Sequence, residues 1–119
     1  MTLVLVLGLL GGLGAVARFL LDAFVSARAG AVFPAGTLVV NLTGAFVLGL
    51  LVGAALDGDA LVLAGTGLIG SYTTFSTWML ESHRLGEDGA MRAVLLNVGL
   101  SLSAGLAAVW LGRVIGELL

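Results

Sequence analysis

The residues able to do chemistry in this sequence are polar side chains set at intervals of three and four within long apolar stretches. Thr37 and Asn41 stand four apart, as do Asn97 and Ser101, and Gly105 continues the latter row. At helical spacing each pair shares a face. The densest cluster is Gly70-Ser71-Tyr72-Thr73-Thr74-Phe75-Ser76-Thr77-Trp78, preceded by further glycines at 65 and 67. An asparagine amide offers two N–H donors and each hydroxyl one. No aspartate or glutamate lies deep in an apolar stretch, so this inventory is donors without acids, which suits a small anion that accepts hydrogen bonds. Phe75 and Trp78 are three apart and share a face. Their ring edges carry positive quadrupole density toward an anion, although aromatics that simply face lipid read the same way.

The 70–78 cluster predicts a break in its helix, because glycine weakens the helix and hydroxyls compete for its backbone. Backbone carbonyls freed there would be hard oxygen ligands suited to Na⁺. The competing expectation is a continuous helix whose hydroxyls bond their own i−4 carbonyls. Asn41 and Thr37 divide in the same way between an ion pathway and polar glue between helices. Arg18 and Asp22, four apart, fit a snorkelling arginine with a local ion pair.

Apolar segments must position these residues. The chain has 119 residues, of which 60% are apolar and 10% charged, with 19 glycines and one proline. A soluble domain carries about 25% charged residues to face water. This composition therefore predicts an all-α integral membrane protein. Spans are expected at about 3–24, 32–56, 60–80 and 91–111, each near the ~20 residues that a bilayer core requires. They form one four-helix domain, 1–119, punctuated by polar segments at 26–30, 57–59 and 81–89. No basic residue precedes the first apolar run, so it does not read as a secretory signal.

Other classes drop out. A net charge of −2 argues against a nucleic-acid partner. Cysteine is absent, which removes thiol chemistry and cysteine metal sites. His83, the single histidine, falls in a charged segment, and no nucleophile–base–orienter set stands out, so enzyme activity has no support. The G-x-G-x-x-G match at 65–70 lacks the strand that a dinucleotide site needs. The Asn41-Leu42-Thr43 glycosylation pattern lies too far inside a span to be reached. Small-xxx-small pairs at Gly8/Gly12, Gly49/Gly53 and Gly112/Gly116 mark close helix contacts, within one chain or between two. Arg18, Arg28, Arg84 and Arg92 flank the first and third polar segments and Arg113 the other side, a thin positive-inside bias that leaves orientation weakly encoded.

The sequence resembles the CrcB/Fluc family of fluoride channels over nearly its whole length. The match runs through Gly11-Gly12-Leu13-Gly14-Ala15 with Arg18, then Gly36-Thr37-Leu38-Val39-Val40-Asn41 with Gly44, and above all Gly70-Ser71-Tyr72-Thr73-Thr74-Phe75-Ser76-Thr77. The resemblance implies four-helix subunits paired antiparallel in dual topology, in the cell membrane, with a second copy or a homologous subunit as partner. It implies passive export of fluoride along a pathway of Asn41, Phe75, Ser76, Thr77, Trp78, Asn97 and Ser101, with Arg18 near a pore entrance. It also implies a structural Na⁺ at the dimer centre, held by the Gly70 and Thr73 carbonyls. Trp78 departs from the pattern, standing where the family usually has a second phenylalanine. Two other functions are compatible with so small a chain: a proton-coupled multidrug exporter, which needs an embedded carboxylate, and a membrane assembly subunit that transports nothing.

Overall fold

The computed structural model describes residues 1–30 and 32–119, and among them every regular element is helical. The helices are α1 (Thr2–Ala29), α2 (Ala35–Gly53), α3 (58–72), α4 (Ser76–Glu87) and α5 (Met91–Glu117). Three of them, α1, α2 and α5, are long and apolar enough to cross a membrane. At ~1.5 Å per residue α1 extends about 42 Å, in keeping with the 47 Å long axis of the molecule.

Local chemistry sets the helix ends. Pro34 precedes the first residue of α2, where its missing N–H costs nothing. Gly30 and Gly89 take φ of 84° and 73°, left-handed values that stop α1 and follow the end of α4. The polar segments at 26–30 and 81–89 are therefore mostly helical rather than loops: α1 and α4 continue through them before a glycine turns the chain. A helix that leaves the hydrocarbon has no reason to unwind while its polar side chains meet water.

Helix α3 is not α-helical throughout. Gly58–Leu61 and Gly70–Tyr72 flank a π-helical stretch, Val62–Ile69, rich in glycine. Regular structure stops at Tyr72 and resumes at Ser76; Thr73 between them is extended, with φ −80° and ψ 160°.

The interior inverts the pattern of a soluble protein. Val40 and Ile69 are the buried hydrophobic residues, whereas Thr37, Ser82 and Asn97 are buried polar ones. Leucines, valines and phenylalanines along α1 and α5, from Val4 and Leu9 to Leu106 and Trp110, face outward. Lipid is the solvent that makes such a surface stable, because apolar side chains gain nothing there by turning inward. The chain is a multi-pass membrane protein.

Glycines bring the backbones together. A Cβ on Gly49 or Gly53 would run into the backbone of α5 at Val109 or Arg113. One on Gly112 or Gly116 would strike α2 at Phe46 or Leu50. These two small-xxx-small pairs thus serve one α2–α5 contact within the chain, where helices lie close enough for backbone to touch backbone. Gly14 does the same for α1 against Leu68 of α3. Gly8 and Gly12 have nothing within 4 Å of a built Cβ and stay open.

Candidate functional site

The 73–75 segment is held from α2 by one side chain. Asn41 Nδ2 donates to the Thr74 carbonyl at 2.8 Å, and the Thr74 N–H donates to Asn41 Oδ1 at 2.8 Å. The amide thus satisfies both main-chain polar groups of one residue, Thr74, as a neighbouring strand would. Reversing the amide would set donor against donor and acceptor against acceptor, so the pairing fixes its orientation. Gly44, one turn further along α2, clears room for the same segment, since a Cβ there would overlap the Thr73 methyl.

This pairing changes the hydrogen bonding of the two helix ends. In a continuous helix the Thr74 N–H would serve the Gly70 carbonyl and the Thr77 N–H that of Thr73. Here the first goes to Asn41 and the second to Thr74 Oγ1, at 3.2 Å. The Thr73 carbonyl instead accepts from Arg18 Nη1 at 3.4 Å. Among neighbouring hydroxyls, Ser71 bonds back to Gly67 and Thr73 bonds back to the Ile69 carbonyl at 3.1 Å. Thr43 and the Tyr72 hydroxyl meet at 2.7 Å, tying α2 to α3 a second time.

Two concavities flank Thr74. A groove of about 390 Å³ is lined by Asn41, Gly70, Thr73, Thr74, Phe75 and Trp78, with Gly105 of α5 on its wall. The Phe75 and Trp78 rings meet edge to face there, with centroids 5.6 Å apart and planes at 74°. Phe75 is 70% exposed. The second concavity, of about 230 Å³, is lined by Arg18, Asp22, Thr37, Thr74 and Thr77 among others. Its single positive charge faces one carboxylate and three hydroxyls.

Arg18 does not pair with Asp22 as expected. Its guanidinium reaches across to Thr73, and Asp22 accepts from Ser26 Oγ at 3.1 Å. Among the described residues, His83 Nε2 meets Glu87 Oε1 at 2.6 Å and Arg113 pairs with Glu117 at 3.0 Å, both on outer faces. Arg28 instead lies over its own helix's Phe24 ring, 3.7 Å from the centroid.

The remaining polar residues form a separate buried knot. Trp78 Nε1 donates to the Asn97 carbonyl at 3.3 Å, Asn97 Nδ2 to Ser82 Oγ at 2.9 Å, and Ser82 Oγ to the Trp78 carbonyl at 2.9 Å. Asn97 Oδ1 and Ser101 Oγ are buried and have no hydrogen-bond partner among the described residues. The structure thus places Asn41, Gly70, Thr73, Phe75 and Trp78 along one groove and Arg18 and Thr77 along another. Asn97 and Ser101 line neither, and Ser76 Oγ lies 3.4 Å from Thr74 Oγ1.

Thr74, Ser82 and Glu81 are participants that sequence reasoning did not single out. Thr74 was hidden because its backbone, not its side chain, takes the asparagine. Glu81, just past the third apolar stretch, accepts from the buried Thr37 hydroxyl. Burial pushes its carboxyl above the usual carboxylate range; the Thr37 bond and Arg84 oppose this and Asp22 adds to it.

Residues 5–113 match the family described as CrcB-like protein, Camphor Resistance (CrcB). The chain belongs to the CrcB family. Among curated relatives it is 56% identical over 110 residues to fluoride-specific ion channel FluC 2 of Mycobacterium bovis, covering 92% of this chain and 87% of that protein. The same identity and coverage hold for FluC 2 of Mycobacterium tuberculosis. Fluoride-specific ion channel FluC 1 of Symbiobacterium thermophilum is 42% identical over 116 residues, 92% of this chain and 94% of its own. For a CrcB chain, the G-x-G-x-x-G match at 65–70 is part of the π-helical stretch and its end, with no strand before it among the described residues.

Proposed function

We propose that this CrcB protein is a fluoride-specific channel that carries F⁻ passively out of the cell across the cell membrane. The observation that carries the reading is the family match over residues 5–113, together with relatives of up to 56% identity that bear the name of that activity. The site supplies the chemistry. Fluoride is small and strongly hydrated, so removing its water is costly unless donors take the place of the shell. Asn41 keeps one N–H of its amide beyond the bond to Thr74. The hydroxyls of Ser76 and Thr77 and the edges of Phe75 and Trp78 add donors and positive quadrupole.

The working unit in this reading is an antiparallel, dual-topology dimer of this chain with itself or a homologous subunit. Support comes from shape and exposure. The subunit is a slab 22 Å thick in its shortest dimension, and its grooves are open on one side. Phe75, on the wall of the larger groove, stands largely exposed, so the pathway is complete only when another surface covers it. Helices α3 and α4 together make the third crossing, broken at membrane depth; irregular backbone survives there when protein buries it.

The donor set also fits a structural Na⁺. The carbonyls of Gly70 and Thr73 have lost their helical N–H partners to Asn41 and Thr74, and such neutral oxygens suit an alkali cation. Two copies related across the dimer centre would contribute both pairs. Na⁺ would neutralise carbonyl dipoles at the contact between subunits and takes no part in moving fluoride.

Liposomes reconstituted with the purified chain and loaded with fluoride test the function. An F⁻ electrode should record release down the gradient once K⁺ permeability is supplied, while a matched Cl⁻ gradient stays intact. Release no faster than from empty liposomes, with and without a homologous subunit, would remove the channel reading. Equal release of F⁻ and Cl⁻ would remove its specificity.

A further inference from the structure

We infer that Asn41 is the positioning residue of the cation site, acting by withdrawing the Thr74 N–H from the Gly70 carbonyl rather than by touching the cation. The inference rests on the Na⁺ reading above and assigns how this chain builds that site. A carbonyl inside a helix is a poor cation ligand because its in-line lone pair is already engaged by an N–H. To release the Gly70 oxygen, the Thr74 N–H must be given an equally good acceptor elsewhere, since an unmade buried bond is expensive. Asn41 Oδ1 is that acceptor, at 2.8 Å, and Asn41 Nδ2 holds the carbonyl of the same residue at 2.8 Å.

Three further observations fit this role. Thr73 is extended rather than helical, as a peptide pulled toward α2 requires. Gly44 leaves the space into which Thr73 moves. Thr74 Oγ1 takes the Thr77 N–H, so the second carbonyl of the pair, that of Thr73, is released by the residue that Asn41 holds. Arg18 Nη1, at 3.4 Å, faces one lone pair of that oxygen, and a carbonyl has a second for a cation.

Asn41 therefore has two separable tasks, the clamp and its one remaining N–H. The test measures dimer dissociation in vesicles by energy transfer between labelled copies, with Na⁺ or N-methylglucamine as the cation. Wild type should dissociate at least tenfold more readily without Na⁺. Asn41→Leu, which removes the acceptor, should match Na⁺-free wild type and respond to Na⁺ less than twofold. Asn41→Asp in its protonated form, at acidic pH, accepts from the Thr74 N–H and donates its O–H to the Thr74 carbonyl, and should keep the Na⁺ response; once ionised it sets oxygen against that carbonyl and should lose it. If Asn41→Leu retains the tenfold response, or Asn41→Asp relative to wild type responds alike across the pH range, the assignment is overturned. Should Asn41→Leu fail to fold, Asn41→Asp decides alone: a response kept when protonated and lost when ionised supports the clamp, and any other result overturns it. A wild-type dimer indifferent to Na⁺ would overturn the Na⁺ reading itself, a result distinguishable because it appears without any substitution.

Discussion

Trp78 brings both a ring edge and an N–H donor to a position where the family usually carries phenylalanine. The structure separates the two: the ring edge packs against Phe75 in the groove, while the indole N–H is spent on the Asn97 carbonyl. The donor is thus part of the knot that fixes α4 to α5, and the ring faces the groove. Trp78→Phe is expected to cost about 1–2 kcal/mol of stability through the lost bond and smaller ring. Fluoride selectivity over chloride should survive, because an edge remains. Thermal unfolding in detergent and liposome efflux check the two halves. A loss of selectivity at unchanged stability would show that the indole N–H serves the ion. At this scale the sequence made residue types and spacings legible, including Asn41 and the 70–77 cluster. It did not reveal which hydrogens were already committed, because the partners are peptide groups that any residue carries.

Close helix packing explains the distribution of glycine among elements. The Gly49/Gly53 pair on α2 and the Gly112/Gly116 pair on α5 meet each other, whereas Gly8 and Gly12 on α1 meet nothing within the subunit. Gly49→Leu forces α2 from α5 and should destabilise the subunit by about 3 kcal/mol or more, at the upper end for overpacking. Gly12→Leu should leave the unfolding temperature within about 2 °C, since nothing lies within 4 Å of its Cβ. Unfolding monitored by circular dichroism in detergent compares them, and equal losses would contradict this division. All three pairs were visible in the sequence, but spacing alone is the same for contacts within a chain and between chains. Helix limits at the polar segments were also misjudged from composition, because α1 and α4 stay helical until Gly30 and near Gly89.

Orientation belongs to the whole molecule. With Arg18 turned inward to Thr73, the arginines at one end reduce to Arg28, Arg84 and Arg92, against Arg113 paired with Glu117 at the other. That difference is small, and a balance near neutrality lets a chain insert both ways. Replacing Glu87 and Asp88 together with lysine adds two positive charges to the better-endowed end and should fix one orientation. Protease access to an N-terminal tag in sealed vesicles should pass from both sides to one. If an antiparallel pair is the channel, fluoride efflux should fall more than tenfold with it. Full efflux from a population of single orientation would refute the antiparallel dimer.

The sequence by itself determined the solvent and the helical class, and of the four crossings expected from it three are single helices long and apolar enough to span a bilayer. Those follow from composition and period, which are properties of residues near one another in the chain. Tertiary structure decided which carbonyls lose their helical partners, where Arg18 points, and which glycines meet. Each of these depends on what a distant helix offers: Asn41 reaches Thr74 across 33 positions and Arg18 reaches Thr73 across 55. A hydrogen bond is a competition among acceptors, and its winner is known only when the competitors are in place.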